Sequence, residues 1–352
     1  MLDQIVNVTD HNDYEIVYTY RADGQKKTIK VKKPNDQFIY DIKYTYDRAA
    51  RLQTVSEPII PGTNDRIATF DYDDNGNRKR LTYSLDGTPD DNSVYIDYTY
   101  NADNMLESFT TTGLTFNLSD ANVDGLGRLI DANEVITRPD SNEMTHELDY
   151  EYDMRSQLTY ARITNIGDAN WQSWDYTYYR NGNLNTETFQ SSPNSPTSKS
   201  HTYNGYRLTG ASGTGGNYSL TYDDNGNMID LPYSGTSELV YNWDGRLRSG
   251  QLGDDSISLR YDPSGNRVWK QSGDGQTTTG RKYIVDVVGD LPVILLEIDT
   301  SDQTIEKTCI YANSQIIAQH DGKYDADRYF YLRDCLGNVR KIIDTNTKIQ
   351  IT

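Results

Sequence analysis

The segment Asp71–Gly76, DYDDNG, sets carboxylates at alternate positions ahead of a glycine, as in the opening half of a loop that wraps a hard cation such as calcium. Its second half is missing. Thr82 stands where a bidentate glutamate would close the cation shell, and the flanks alternate like strands, so a turn is the better reading. The histidines, His11, His146, His201 and His320, are far from one another and from any cysteine in a zinc-like spacing, and are expected at surface or turn positions. No serine sits in a nucleophile elbow, and no phosphate-cradling or dinucleotide glycine loop is present. The many acids leave a paired-carboxylate glycosidase conceivable, but those that can be placed already serve turns. Trp171, Trp174, Trp243 and Trp269 would stack on sugar rings if their faces stand free, and on cross-strand neighbours if they do not. These residues predict no enzyme, no metal and no cofactor.

The elements around them are strands. One cassette recurs: an alternating aromatic run, Tyr-Asp or a variant, a glycine a few residues later, then Arg or Leu opening another run. Its clearest copies are FDYDDNGNRKRLTY around Tyr72, SLTYDDNGNM around Tyr222 and SLRYDPSGNRVWK around Tyr261; weaker ones stand at Tyr20, Tyr46, Tyr100, Tyr152 and Tyr178. A second flavour, with Leu straight after the turn, occurs near Asp124, Tyr203 and Trp243. The step of about 18 to 28 residues is the length of one hairpin and its return. In Tyr-Thr-Tyr, alternation puts rings on one face and threonine on the other. Asp-x-x-Gly-Asn then reverses the chain, the aspartate accepting backbone N–H groups and the glycine supplying positive φ. Gly24, Gly76, Gly182, Gly226, Gly245 and Gly265 are therefore assigned to turns.

No sustained 3.6-residue apolar pattern appears, so helix should be nearly absent. Two loops are expected, one at Leu114–Glu134, which departs from the cassette, and one at Gln190–Ser200 (QSSPNSPTSKS), read as a flexible connector. From Tyr283 to His320 the strands turn aliphatic, as in an atypical end of an array.

With 29 Tyr against 6 Phe and 35% hydrophobic residues among 352, the composition suits a thin sheet, wet on at least one face and without a dry interior. The net charge of −18 argues against nucleic acid and against an anionic membrane. Cys309 and Cys335 are too few for a disulfide framework. The best apolar run, LPVILLEI from Leu291, is far short of the roughly 20 residues of a membrane span, and MLDQIVNVTD lacks the features of a signal peptide.

The YDxxGNR spacing, followed by a YxWDxxxRL-like unit, resembles the YD repeats of the Rhs family, which includes bacterial wall-associated proteins, insecticidal toxin-complex subunits and the teneurins. The resemblance runs from about Tyr14 to Lys348. The segment RYFYLRDCLGNVRKIIDTNTKI from Arg328 is similar to the start of the Rhs-associated core: Asp334, Leu336, Gly337, Val339 and Arg340 match, while Cys335 replaces the usual His and Asn338 the usual Ser. The resemblance implies one long coiled antiparallel sheet, part of a hollow shell that encloses a toxic C-terminal domain released by cleavage beyond the core. Asp262-Pro263 looks like the cleavage dipeptide but lies inside a YDPSGNR turn. The chain stops at Thr352, before such a cleavage segment or toxin, and reads as a partial turn, a fragment or an accessory piece.

The expectation is an all-β array of tandem hairpins, with 1–282 as the repeats and 283–352 as terminal repeats carrying the start of the core. It is a non-enzymatic shell or scaffold segment of a larger secreted or surface protein, enclosing or delivering an effector. Its partners are its own downstream region or neighbouring shell segments, met through unpaired edge strands. The alternative is an adhesin that binds glycans.

Overall fold

A computed structural model describes the chain except residues 1–3, 11–12, 59–65, 85–93, 103, 105, 112–113, 138–142, 168–169, 231–236, 290, 323–327, 334–338, 345–349 and 352. Among the described residues there are 29 strands and no helix, and every pairing is antiparallel. Contacts divide the chain into two compact units, Met1–Ile96 with Asp254–Thr352, and Asp97–Gly253.

In the first unit, strands Glu15–Tyr20, Lys26–Lys32, Phe38–Tyr46, Leu52–Ser56, Arg66–Tyr72 and Arg78–Tyr83 pair each with the next. A second run pairs in the same way, from Asp255–Tyr261 through Thr278–Asp286, Val293–Asp299, Ile305–Ala312 and Gln315–Asp321 to Val339–Asp344. The aliphatic stretch read from the sequence at Tyr283 begins inside the strand Thr278–Asp286. Alternation sets one face of each run inward, as in KKTIKVK, where Ile29 and Val31 are buried between lysines. The two inward faces meet. Ile16, Ile39, Ile42, Ile67, Ile284 and Leu295 are at most 1% exposed, and each such side chain contributes about 1.5–3 kcal/mol of burial. Tyr18, Tyr40 and Tyr83 are as deeply buried, so the expectation of a sheet without a dry interior is corrected here. A ring with a bonded hydroxyl is as much at home between sheets as on a wet face, and composition does not distinguish the two.

The second unit is a meander from Leu106–Thr111 to Tyr218–Ser219, with the hairpin Ser237–Tyr241 and Leu247–Leu252. Its buried apolar side chains, among the described residues, are Ala132, Leu148, Ala161, Ala211 and Leu239. Two sequence expectations are corrected in this unit. Leu114–Glu134 is not an irregular loop but a hairpin, Leu114–Val123 with Leu129–Thr137. The connector Gln190–Ser200 shrinks to a short turn, because Thr197 and Ser198 continue a strand against Phe189 and Thr188, with hydroxyls of Thr188 and Ser198 2.8 Å apart. Serine and threonine hydroxyls paired across strands hold extended backbone as well as apolar pairs do.

Candidate functional site: a ladder of turns and a seam of tyrosines

One five-residue turn closes most of the described cassettes; the one at Tyr203 closes on the two-residue turn Gly205–Tyr206, between the paired Asn204 and Arg207. At Asp73 its N–H donates to the Asn77 carbonyl at 2.9 Å, and the Gly76 N–H donates to the Asp73 carbonyl at 3.1 Å. The same two bonds recur at Arg21, Asp47, Asp124, Asp153, Tyr179, Asp223, Asn242 and Asp262. The fourth residue is left-handed, with φ of +92° at Gly24, +89° at Gly76, +90° at Gly182, Gly226 and Gly265, and +77° at Gly245. Among the described residues, three turns with both bonds lack glycine, Asp36, Ala50 and Ser156 holding φ of 67°, 63° and 63°; the last two close the cassettes read at Tyr46 and Tyr152, and the one at Asp36 lies outside the cassettes read from the sequence.

The aspartate is the organising acceptor. Asp47 Oδ1 accepts the N–H groups of Ala49 and Arg51 at 2.9 Å, and its Oδ2 accepts Arg51 Nε at 2.7 Å. Asp124 repeats this with Arg128, while at Asp73, Asp223 and Asp262 an asparagine amide replaces the guanidinium, at 3.1, 2.9 and 2.8 Å. The Arg51 backbone N–H holds the Asp47 carboxyl below the usual range, and the side chains of Arg128 and Asn227 do so for Asp124 and Asp223. Thus Asp73 of DYDDNG is a turn cap and Asp71 a strand residue opposite Arg80. Asp262-Pro263 likewise sits in a closed turn, with Asn266 N–H on Asp262 Oδ1 at 2.8 Å.

At several turns the preceding tyrosine joins its cassette to the one before it. Tyr46, Tyr72 and Tyr178 donate their hydroxyls to the carbonyls of Lys26, Leu52 and Leu158, each at 2.7 Å. Arg51 and Arg128 lie 4.4 and 4.7 Å over the rings of Tyr72 and Tyr152 in the following cassettes. The arginine or asparagine that closes the motif, and the tyrosine that opens it, therefore have structural partners.

Inside the first unit a second set of tyrosines sews the two sheets together. Tyr40 and Tyr44 donate to the carbonyls of Cys309 and Tyr311 at 3.0 and 3.1 Å, and Tyr83 to that of Tyr331 at 3.1 Å. Tyr18 donates to Asp286 Oδ1 at 2.6 Å, and Lys26 Nζ lies 3.0 Å from Asp286 Oδ2. Burial drives the hydroxyls of Tyr18, Tyr40 and Tyr44 well above the ordinary tyrosine range. Burial also pushes the Cys309 thiol up to about 12; it is a free thiol, and Cys335 lies outside the described residues. A cleft of about 350 Å³ is lined by Lys26, Tyr44, Tyr46, Asp286, Leu291 and Asn313 among others. Its lysine, carboxylate and hydroxyls already bond one another or the backbone.

The histidines are not at surface or turn positions, which corrects that expectation for the described three. His320 and Glu57 are fully buried, Nε2 to Oε2 at 2.7 Å, with Arg328 Nη2 3.7 Å from the same oxygen. His146 Nδ1 lies 3.0 Å from Glu134 Oε2, and the buried His201 faces Glu187 at 3.8 Å. Each pairs across the sheet or the core with a glutamate that no local spacing reveals; His11 lies outside the described residues. Among the described residues no group of three His, Cys, Asp or Glu could hold a metal ion. Trp171 and Trp269 carry Arg162 and Arg260 on their faces, Trp174 packs on Phe189, and Trp243 alone of the four is fully exposed, at 97%. Of the associated-core motif, Val339 and Arg340 open the strand Val339–Asp344, paired with Arg328–Arg333; Asp334, Leu336 and Gly337 lie outside the described residues.

Antiparallel hairpins stacked through capped turns and tyrosine hydroxyls define a shell wall of the YD-repeat class. Residues 107–349 match the family model for the teneurin YD-shell. The chain belongs to that family, and it is a structural shell segment. No curated protein matches. Among solved structures it is similar to the Tc holotoxin pore of Photorhabdus luminescens, with a TM-score of 0.71 and 17% identity over 97% of this chain and 17% of that one. It is equally similar to the complex of TcdB2, TccC3 and Cdc42, with a TM-score of 0.71 and 17% identity over 96% of this chain and 18% of that one. For the structure of TcdB2-TccC3-TEV the TM-score is 0.64, at 17% identity, over 97% of this chain and 18% of that one. At this identity the likeness is one of fold, and the chain spans about a sixth of those chains. Among the described residues no helix is long and apolar enough to cross a membrane.

Proposed function

We propose that this chain is a non-enzymatic wall of a secreted or surface-exposed shell that encloses an effector protein encoded with it. Residues 1–282 serve as its repeat array and 283–352 as its terminal portion. The observation that carries the proposal is the use of the polar side chains. Turn aspartates, motif arginines and seam tyrosines are engaged in holding hairpin to hairpin, an arrangement that suits a rigid partition rather than a reaction centre. Among the similar solved structures, one joins TcdB2 and TccC3 with Cdc42, in keeping with a wall around a guest.

The test is co-expression of the chain with the region downstream in its own gene. A stable, protease-resistant complex is the expected result. A chain indifferent to that region yet selective for one sugar on a glycan array overturns the proposal in favour of the adhesin.

A further inference from the structure

Four asparagines of this chain precede a glycine: Asn75, Asn181, Asn204 and Asn225. In this dipeptide a backbone nitrogen most readily reaches the side-chain carbonyl before it, because glycine carries no Cβ to shield its own N–H. All four asparagines are exposed, but the fold treats them differently. Three sit in the five-residue turn. There the N–H groups of Gly76, Gly182 and Gly226 donate to the carbonyls of Asp73, Tyr179 and Asp223 at 3.1, 2.9 and 3.0 Å. A second bond, from Asp73, Tyr179 and Asp223 to the carbonyls of Asn77, Asn183 and Asn227, closes the same turns at 2.9, 2.8 and 2.9 Å. Each nitrogen that would attack is thus occupied, and freeing it means breaking the turn.

Asn204 ends the strand Thr197–Asn204 and precedes the two-residue turn, with Gly205 at φ of +64°. Among the described residues no hydrogen bond engages the Gly205 N–H or the Asn204 side-chain amide. The last pair of the hairpin, Asn204 with Arg207, holds the backbone here; both residues are exposed, and a register shift between Thr202 and Tyr203 lies just behind them. Fraying of a terminal pair is the lowest-cost opening a hairpin has, and it frees the asparagine to rotate onto the next nitrogen.

We propose that Asn204 is a site of covalent modification, deamidating through a cyclic imide while the other three Asn-Gly pairs are protected by their turns. The Gly205 nitrogen, its proton passed to water, bonds to Asn204 Cγ; the Cγ–Nδ2 bond breaks and ammonia leaves. Water then opens the ring, at Cγ to give aspartate or at the backbone carbonyl to give isoaspartate. The isoaspartate product routes the main chain through the former side chain and adds a methylene between Tyr203 and Gly205. The Gly205 carbonyl accepts the side-chain amides of Asn181 and Asn183 in the preceding hairpin, at 3.4 and 3.5 Å, so the change loosens the tie between two cassettes.

Trypsin cuts after Arg66, Arg78, Arg180, Lys199, Arg207 and Arg246, which leaves each Asn-Gly pair in its own peptide, and Asn204 is the one asparagine of peptide 200–207. The full folded chain is held at mildly alkaline pH, digested at intervals and followed by fragment mass spectrometry. Conversion of amide to acid at Asn204 should run at least about tenfold faster than at Asn75, Asn181 or Asn225, a barrier difference of about 1.4 kcal/mol that one backbone hydrogen bond can supply. In urea the four should convert at similar rates, because the turns that distinguish them are gone. Isoaspartyl methyltransferase with S-adenosylmethionine should methylate the aged chain in peptide 200–207, and should leave that peptide of Asn204→Ser unmodified. A folded chain in which Asn204 converts no faster than the others overturns the proposal. So does the same ranking persisting in urea, which would place the cause in the neighbouring residue types rather than in the turn hydrogen bonds.

Discussion

The unit Asp97–Gly253 and the unit made of Met1–Ile96 with Asp254–Thr352 are built from the same cassette, with the same turns and the same tyrosine links. They differ in what lies behind the strands. In the first named, the described buried apolar residues are three alanines and two leucines, and the structure relies on turn caps, hydroxyl pairs such as Thr177–Thr186 at 2.6 Å, and arginines over rings. In the other, two sheets bury isoleucines and whole tyrosines against each other. The cassette is therefore sufficient to make a ribbon, and a dry core is an addition to it.

The strongest way to break this comparison is to truncate equivalent rings. Tyr40→Ala should cost about 3–5 kcal/mol, the loss expected for a large core ring, while Tyr178→Ala, which loses one half-exposed hydrogen bond, should cost about 1 kcal/mol. Hydrogen exchange resolved by unit, in increasing urea, measures both. Equal losses would mean that the core adds nothing to the ribbon.

Alkaline pH sharpens the contrast. A hydroxyl whose folded pKa is raised contributes stability that is complete below the unfolded value near 10 and is lost as pH rises beyond it. Tyr18, Tyr40 and Tyr44 should each remove about 1.4 kcal/mol per pH unit above 10, so the two-sheet unit should lose its protection steeply there. A melting profile flat between pH 9 and 12, by near-ultraviolet circular dichroism, contradicts the buried seam.

Turn substitutions should be blind to the core. Gly76→Val and Gly226→Val should each lose about 1–2 kcal/mol, since a β-branched residue resists positive φ, although one lies in each unit. Conversely Ala50→Gly and Ser156→Gly should each gain about 0.5–1 kcal/mol by relieving left-handed strain. Gains in one unit only, by thermal melting, would show that the turns are tuned by what lies behind them.

The smallest effect belongs to the turn carboxylates. With folded pKa values lowered, Asp47, Asp124 and Asp223 contribute stability above the unfolded value of about 4 and lose it as pH falls through the folded one. Acid titration should loosen both units alike.

The ribbon was legible in the sequence because its rules are local. Tyr-Thr-Tyr alternation, the aspartate four residues before the closing Arg or Asn, and the glycine between them fix a hairpin within one window. What escaped was either non-local or locally disguised. Glu57 meets His320 across 263 positions, and Tyr40 meets Cys309 across 269. A tyrosine in an alternating run reads the same whether its ring faces solvent or a second sheet. Ala50 and Ser156 adopt the glycine conformation because the aspartate and the strand pairing on either side leave them no other. The exposed tips Met154 and Trp243 carry no signal of exposure in the sequence, since each follows an ordinary turn-opening residue.

The tyrosine that donates to the carbonyl twenty residues upstream has a consequence for how such a gene can change length. Because Tyr178 needs only Leu158, duplicating or deleting one complete cassette in Asp97–Gly253 leaves every donor beside an acceptor of the same kind. The same event between Tyr40 and Tyr83 would carry those rings past the Cys309 and Tyr331 carbonyls they now meet. Descendants of this chain should therefore vary in cassette number within Asp97–Gly253 and keep a fixed number within Met1–Ile96 and Asp254–Thr352.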